Sequence, residues 1–220
     1  MKIVISLGGS LINPGRINYP FLSSFKKTIK KFSRHKIIIV TGGGKVARDY
    51  IEALKDKSER VRSLIGISAT RLNAMLVSNF LDADVFIPDS SDEIKKILKR
   101  KNLVVCGALG YRKDMTSDGT AADLAREIKA DFLVNMTNVK GLYDKDPRKN
   151  KNAKFISEIS FFDFLKMLDK MKYKPGQHFV LDRPAARIIS RHKIKTAILN
   201  NAKNLEKLLK REKFAGTIIF

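Results

Sequence analysis

The sequence has very little cysteine and no long apolar run, and both shortages restrict the class of protein. Cys106 is the only cysteine among 220 residues, so the chain forms no intramolecular disulfide and suits a reducing cytosol. No apolar run reaches the length of a membrane span. The first predicted strand begins at residue 3, so we expect no signal peptide. We therefore predict a cytoplasmic protein without a membrane partner.

Acidic residues are also scarce. The chain has 22 Asp and Glu against 44 Lys and Arg, a net charge of +22. Such an excess favours polyanionic partners: nucleic acid, an anionic membrane or phosphorylated small molecules. The lysines, however, alternate with apolar residues at helical spacing, which is typical of solvated helix faces. Because no nucleic-acid module and no basic surface with interleaved aromatic residues is present, we predict that nucleic acid is an unlikely partner.

The order of predicted elements indicates the fold class. Apolar β-branched runs alternate with amphipathic segments throughout the chain, and we find neither a linker nor an internal repeat. This alternation predicts an α/β protein with a mostly parallel sheet and helices on both faces, in a single domain over 1–220. The predicted strands are 3–5, 37–40, 85–88, 103–106, 132–136, 196–199 and 217–219.

A glycine-rich turn follows the second predicted strand. The run IIIV over 37–40 leads through Thr41 into Gly42, Gly43 and Gly44, and a helix-prone segment follows. Bare glycines let the backbone approach an anion, and free amides at a helix N-terminus can hold it. The pattern is neither a P-loop nor a dinucleotide fingerprint. The turn predicts a phosphate site, and an ordinary tight turn stays open as the alternative.

Three further turns also follow predicted strands, at 8–10, 107–117 and 138–146. Ligands of such sheets bind beyond the carboxyl ends of the strands. We therefore expect the four turns to face one crevice and to serve two phosphorylated ligands. Thr116, Ser117 and Asp118 begin a predicted helix, where they either cap it or face the ligand. Tyr143 is placed to stack on a base.

These motifs together resemble the amino-acid-kinase superfamily, and within it the archaeal uridylate (UMP) kinases. The resemblance covers the whole chain in order. The matching segments are LGGSL (7–11), TGGGKVAR (41–48), IGI with RLNA (65–67, 71–74), TSD (116–118), TNVKGLYDKDP (137–147), VLDRPAA (180–186) and GTII (216–219).

The resemblance implies a three-layer α/β/α sandwich that transfers the γ-phosphoryl group of ATP, bound with Mg²⁺, to UMP. It implies a homo-oligomer, usually a hexamer, and makes Asp118 the residue that organises the reacting groups. The implied ATP-binding residues are Gly9, Ser10, Gly43, Gly44, Thr137, Tyr143 and Asp146. The implied UMP-binding residues are Gly42, Arg48, Ser63, Gly110, Thr116 and Ser117. No protein ligand to a metal is expected.

The chain departs from its relatives at the site. Ser6 stands where many superfamily members have a lysine, Ser63 where close relatives have an acidic residue for the UMP ribose, and Lys140 where an aspartate is usual. The loop 107–117 is about two residues longer. Another cation must then meet the charge of the transferred group. We predict that Lys45 does so from the start of its helix; Lys140, Arg112 and Lys113 are the alternatives.

Other functions remain open from the sequence. A sister kinase of the superfamily could use a different phosphate monoester, since Ser63 and the longer loop both affect acceptor recognition. Isopentenyl phosphate kinase is disfavoured because Arg48 stands where that family has a histidine. From a different class, the chain could be a non-catalytic nucleotide sensor or a nucleic-acid-binding regulator.

Overall fold

The structure, a computed structural model, describes residues 1–113, 115–147, 150–170 and 180–220. The strands are β1 (Lys2–Leu7), β2 (Lys36–Thr41), β3 (Leu103–Cys106), β4 (Phe132–Met136), β5 (Leu142–Tyr143), β6 (Phe155–Ile156), β7 (Glu158–Ile159), β8 (Thr196–Leu199) and β9 (Thr217–Ile219). The helices are α1 (Gly9–Ile12), α2 (Tyr19–Lys31), α3 (Gly44–Ala53), α4 (Glu59–Phe80), α5 (Ser91–Leu98), α6 (Ser117–Glu127), α7 (Phe161–Lys170), α8 (Arg183–Arg191) and α9 (Ala202–Leu209).

The main sheet is mixed and mostly parallel. In the described part of the chain its strand order is β3-β2-β1-β4-β8-β9-β7. The five strands from β3 to β8 run parallel, and only β9 pairs antiparallel, with β8. Strands β5 and β6 form a separate two-stranded sheet. The carboxyl ends of five parallel strands therefore meet at one edge of the sheet, which is where ligands of such sheets bind.

Side-chain alternation along the strands builds a core on each face of the sheet. In β1, Ile3, Ile5 and Leu7 pack with residues of α2 and α9, while Val4 faces residues of α6 and α8. Both sets are fully buried. Strands covered on both faces read as continuous apolar runs, as these do. The result is the three-layer arrangement that the alternating elements predicted.

One predicted strand is wrong. Residues 85–88 form no strand; Val85 and Phe86 are exposed by 76% and 56%. The Arg71 guanidinium donates hydrogen bonds to the carbonyls of Ile87, at 3.0 Å, and Pro88, at 3.3 Å. Because a distant side chain satisfies these carbonyls, the segment needs no neighbouring strand. Its β-branched and aromatic composition reflected local preference, which tertiary contacts overrode.

Two helix boundaries differ from the prediction. Helix α3 ends at Ala53 instead of near Lys57, because Ser58 starts a new helix by accepting a hydrogen bond from the Val61 N–H at 3.4 Å. Helix α6 begins at Ser117, two residues earlier than predicted. The earlier start places Asp118 inside the first turn of the helix. None of the helices in the described ranges has the length and hydropathy of a membrane-spanning segment.

Candidate active site

Two glycine turns touch each other at the carboxyl edge of the sheet. The Gly8–Gly9 turn follows β1 and opens α1, and the turn over 42–44 follows β2 and opens α3. A Cβ atom at Gly9 would lie 2.1 Å from the Gly44 nitrogen and 2.7 Å from the Gly42 oxygen. Only a residue without a side chain permits this approach. The two turns thus form one surface of backbone, which we name the glycine junction (Gly9 with Gly42, Gly43 and Gly44).

The conformation of the glycine junction explains why it contains glycine. Gly44 has φ +66°, a left-handed conformation that favours glycine. A helix start leaves its first amide groups without partners inside the helix, and its dipole favours an anion there. The junction opens two helices at one place. It can therefore surround a phosphate with backbone donors, which is the role that the sequence predicts for this turn.

A second cluster, next to the junction, contains two carboxylates. The Ser6 hydroxyl at the end of β1 donates a hydrogen bond of 2.5 Å to Asp118 Oδ1. The Thr116 hydroxyl donates to Asp182 Oδ2. We call these four residues the carboxylate cluster. Ser117 connects it to the junction, since its Oγ lies 3.6 Å from the position of a Cβ on Gly42.

The two carboxylates have perturbed acidity. Desolvation raises the pKa of Asp118 to about 7, and the charge of Asp182 acts in the same direction. The hydrogen bond from Ser6 opposes this rise in the pKa of Asp118 without cancelling it. Desolvation also raises the pKa of Asp182, against the hydrogen bonds from the Ala185 N–H and Thr116. Perturbed carboxylates in a cleft are typical of functional sites.

The structure separates capping from ligand binding at the start of α6. Thr116 is the N-cap, because its Oγ1 accepts a hydrogen bond from the Gly119 N–H at 3.1 Å. Asp118 lies beyond the cap, so capping does not account for it. Asp182 caps α8 by accepting a hydrogen bond of 2.7 Å from the Ala185 N–H. The Thr116–Asp182 bond therefore joins the N-termini of two helices.

Lys45 and Arg48 lie on α3, next to the junction. The Lys45 ammonium pairs with Asp49 one turn later, at 2.6 and 2.8 Å from its two oxygens. Both side chains are about half exposed, and an exposed i,i+4 pair contributes only about 0.3–0.5 kcal/mol. A phosphate could therefore displace Asp49 easily. Arg48 is exposed on the same helix, and Ser63 is half-buried on α4, which packs against α3.

Two of the alternative cations are already engaged elsewhere. The Lys140 ammonium lies 4.7 Å from the centre of the Phe155 ring. The Arg112 guanidinium lies 2.7 Å from the buried carboxylate of Asp123, which also faces Arg126 at 3.3 Å. Ion pairs with buried carboxylates are costly to break. Lys45 is therefore easier to release from its partner than Arg112, which favours Lys45 as the cation that meets the phosphoryl charge.

The predicted nucleoside-binding residues lie along the segment that follows β4. Thr137 donates its backbone N–H to the Leu199 carbonyl at 3.0 Å. Tyr143 lies in β5 and meets the Phe155 ring edge-on at 5.4 Å, so one of its sides is already occupied. Asp146 is half-buried. Gly110 is exposed with φ +53°, in the loop 107–117, whose residue 114 lies outside the described residues.

Sequence reasoning missed two residues of this site. Asp182 was matched only as part of VLDRPAA, although the pattern of Asp before Arg-Pro is a typical helix start. Asn73, on α4, donates a hydrogen bond of 2.7 Å to the Gly42 carbonyl from a buried position. Asn73 was likewise matched only as part of RLNA (71–74), and no local pattern gives it a role, because its partner is 31 residues away. Both residues contact predicted site residues.

Comparison with known proteins agrees with this geometry. The profile described as "Amino acid kinase family" matches residues 1–200. The chain belongs to this family, as the sequence motifs predicted, and its sheet and layers are those of the amino-acid-kinase fold.

Two archaeal relatives illustrate the similarity along the whole chain. The chain is 38% identical to "Uridylate kinase" of Archaeoglobus fulgidus over 224 residues, which cover 100% of both proteins. It is 36% identical to "Uridylate kinase" of Thermococcus sibiricus over 226 residues, covering 100% of this chain and 99% of the relative. The crystal structure of the Archaeoglobus fulgidus uridylate kinase superposes with a TM-score of 0.87, at 36% identity and full coverage of both chains.

Proposed function

We propose that this protein is an ATP-dependent kinase that transfers the γ-phosphoryl group of ATP to the phosphate of UMP, giving UDP and ADP. The observation that carries the proposal is the glycine junction, because it brings two phosphate-sized turns into contact at one edge of the sheet. Full-length relatives that carry the name uridylate kinase support it. In the reaction an oxygen of the UMP phosphate bonds to the γ-phosphorus, and the bond to the bridging oxygen of ADP breaks.

The binding roles follow the layout of the crevice. Gly9, Ser10, Gly43 and Gly44 would hold the ATP phosphates through backbone amides and a hydroxyl. Thr137, Tyr143 and Asp146 would hold its nucleoside, with the free face of Tyr143 next to the base. The acceptor would lie beyond Gly42. The proposed acceptor-binding residues are Gly42, Arg48, Ser63, Gly110, Thr116 and Ser117.

Arg48 would bind the acceptor phosphate. It is exposed on the helix that begins at Gly44, so its guanidinium can reach an anion near the helix N-terminus. A forked guanidinium binds two oxygens of a phosphate at once, which gives orientation as well as attraction. Arg48 thus serves positioning, which supplies much of the rate in phosphoryl transfer.

The carboxylate cluster fits an ATP-bound Mg²⁺. In the described residues, no group of three or more His, Cys, Asp and Glu side chains converges as a metal cage. Mg²⁺ is usually held by one or two carboxylates together with substrate phosphates, and Asp118 and Asp182 supply that number, although the sequence led us to expect no protein ligand to a metal. When bound, the ion would neutralise phosphate charge. Asp118 would orient the reacting groups, and Asp182 would hold Thr116 in place.

Lys45 is our candidate for the cation that replaces the missing lysine at Ser6. It lies in the first turn of α3, directly after the glycine junction. Among the described residues, the ion-pair partner of its ammonium is exposed Asp49. Release from Asp49 would bring a positive charge to the transferred group without any loop movement. Charge in this position acts mainly in the transition state.

We also propose that residues 1–220 act as one domain in a cytoplasmic homo-oligomer, a hexamer by resemblance to such kinases. Helix α4 supports association, because it exposes Leu64, Leu72 and Met75 by 45%, 60% and 50%. These residues recur at helical spacing on one face. A groove of about 420 Å³ lies beside them, between α4, the start of α3 and the segment that follows α1. Exposed apolar faces of this kind are typical of interaction surfaces.

The acceptor is tested by a coupled ADP-release assay with ATP and Mg²⁺ across UMP, dUMP, CMP, AMP and small phosphate monoesters. We expect the highest kcat/KM with UMP. Turnover of another monoester with none of UMP would favour a sister kinase, and no turnover of any acceptor would favour a nucleotide sensor. If nucleic acid were the partner, its binding would weaken steeply with salt while any nucleotide turnover changed little.

A further inference from the structure

Asn73 links the long helix α4 to the glycine junction. Its side chain is 4% exposed and donates a hydrogen bond of 2.7 Å from Nδ2 to the Gly42 carbonyl. Gly42 also donates its own N–H to the Leu7 carbonyl at 2.9 Å. Both polar groups of Gly42 are therefore held, one by the sheet and the other by a side chain from α4.

The Asn73 bond is not needed to dock α4 on β2. Thr41, the residue before Gly42, already donates from Oγ1 to the Thr70 carbonyl on α4 at 2.8 Å. Ala47 and Ala69 also approach Gly43 from α3 and α4. The contribution specific to Asn73 is the orientation of the Gly42–Gly43 peptide group.

That peptide group has little else to orient it. Gly42 and Gly43 both lack a Cβ, so rotation of the peptide between them meets few steric barriers. The chain has no cis peptide bond in its described part. In a trans peptide the carbonyl and the following N–H point in opposite directions. The hydrogen bond that draws the Gly42 oxygen toward Asn73 thus turns the Gly43 N–H away from Asn73.

The Gly43 N–H is available for a ligand. Within the described ranges no protein group accepts a hydrogen bond from it, and Gly43 lies at the N-cap position of α3. An amide that is fixed before the ligand arrives costs no reorganisation when charge develops on a phosphoryl oxygen. A rotated peptide would present the Gly42 carbonyl instead, which repels an anion.

We propose that Asn73 is a positioning residue of the phosphoryl-transfer site. It holds the Gly42–Gly43 peptide in the orientation that directs the Gly43 N–H at the transferred phosphoryl group. This inference rests on the proposed kinase function. It assigns to α4 a part in the reaction that is distinct from acceptor binding.

The first test replaces Asn73 by leucine, which has the same branched arrangement of side-chain heavy atoms and neither a donor nor an acceptor. We expect Asn73→Leu to lower kcat on the order of 10²-fold, because one preorganised donor is lost. The KM values for ATP and UMP should stay within about threefold. Asn79→Leu is the matched control: Asn79 is exposed on the same helix, and its side-chain amide donates a hydrogen bond to the Met75 carbonyl of that helix, at 2.8 Å. It should keep the parent kcat.

The second test keeps the shape of Asn73 and makes the donor titratable. The neutral carboxyl of Asn73→Asp has an O–H that can donate to the Gly42 carbonyl, whereas the carboxylate has none. Burial raises the pKa of such a group. The ratio of variant kcat to parent kcat should therefore increase as pH falls from 9 to 6. A role in packing alone predicts a ratio that does not change with pH.

The outcomes separate this inference from the proposed function. Thermal unfolding of each variant shows whether it is folded. If Asn73→Leu does not fold, Asn73→Asp still tests the proposal. A folded variant that keeps the parent kcat, or equal losses in kcat and in affinity for both substrates, would overturn the positioning role while leaving the kinase intact. Absence of activity in the parent would instead remove the proposed function.

Discussion

The glycine junction and the carboxylate cluster lie side by side but are built in opposite ways. The junction is formed by main-chain atoms, since a Cβ on Gly9 would overlap the Gly44 nitrogen at 2.1 Å. The cluster is formed by side chains. Two hydrogen bonds between them join β1, α6 and α8, one from Ser6 to Asp118 and the other from Thr116 to Asp182. The glycine junction thus determines the position of the backbone donors, and the carboxylate cluster determines the charge beside them.

Because of this difference, a substitution in the junction and one in the cluster should impair the protein in different ways. In the junction any added atom must move main chain, so geometry is lost whatever the chemistry of the new residue. In the cluster an isosteric replacement keeps the contacts and changes only ionisation. Substitutions in each region test this separation, and the largest effect is expected in the junction.

We expect Gly9→Ala to lower kcat/KM on the order of 10³-fold. The added methyl group would meet the nitrogen and Cα of Gly44 at 2.1 and 2.5 Å, and these atoms belong to the backbone. Displacing one turn by about 1 Å costs roughly 10²-fold by misplacement alone, and loss of backbone donors adds to it. The measurement is steady-state kinetics with ATP and UMP.

Gly66→Ala is the matched control for this substitution. Gly66 lies within α4, and an added Cβ would meet only the end of the Ile51 side chain, at 3.2 Å. A flexible side chain can move, and alanine favours a helix more than glycine does. Parent-like kinetics are expected. If Gly9→Ala were as active as Gly66→Ala, the contact between the two turns would have no importance for catalysis.

Lys45→Met should lower kcat by on the order of 10²-fold. Methionine keeps much of the apolar stem but removes the charge that we assign to the transferred phosphoryl group. Asp49→Asn should retain activity or exceed the parent, because it frees the ammonium that Asp49 now holds at 2.6 Å. Activity of Lys45→Met within a few-fold of the parent would move the assignment to Lys140, then to Arg112 and Lys113.

The glycine junction was predictable from sequence because its information is local. An apolar strand, three glycines and a helix start are contiguous, and parallel strands place such turns at one edge. The carboxylate cluster was only half predictable. Asp118 was found through its own motif, but Asp182 reaches Thr116 across 66 residues. A contact of this range depends on how α8 docks against α6, which no local pattern specifies.

The same reasoning explains the failure at 85–88. The segment has strand composition, but its carbonyls at Ile87 and Pro88 bond to Arg71. Strand formation requires a partner as well as propensity. The strands over 103–106, 132–136, 196–199 and 217–219 were predicted with correct bounds, since each has an adjacent strand and a buried face.

Arg48→Ala tests the acceptor side and should have a smaller effect than the two substitutions above. We expect the KM for UMP to rise on the order of tenfold, because the charge-assisted hydrogen bonds of an exposed guanidinium to the phosphate are lost. The KM for ATP should stay near normal. Arg34→Ala is the control, since Arg34 is exposed just before β2, at the opposite edge of the sheet. Equal losses toward both substrates would indicate that the arginine stem packs instead of binding phosphate.

The last prediction concerns stability and isolates charge from geometry. The folded protein raises the pKa of Asp118 from 3.8 to about 7. The folded state therefore holds a proton that the unfolded chain releases between these pH values. Without nucleotide and Mg²⁺, this residue stabilises the fold fully below pH 3.8, and its contribution is lost as pH rises to about 7. The slope for one proton approaches about 1.4 kcal/mol per pH unit.

Asp118→Asn should remove that slope and be more stable than the parent at pH 8, while its kcat falls much more than its KM changes. Asparagine keeps an oxygen that can accept the hydrogen bond from Ser6, so the contact survives and only ionisation is lost.

Urea unfolding at pH 5, 6, 7 and 8 measures the effect. Asp56→Asn, at an exposed position, removes the same charge and should keep the parent slope. If the free energy of unfolding depended on pH in the same way in Asp118→Asn and in the parent, Asp118 would be ionised in the free protein. The carboxylate cluster would then not differ from the glycine junction in the way we propose.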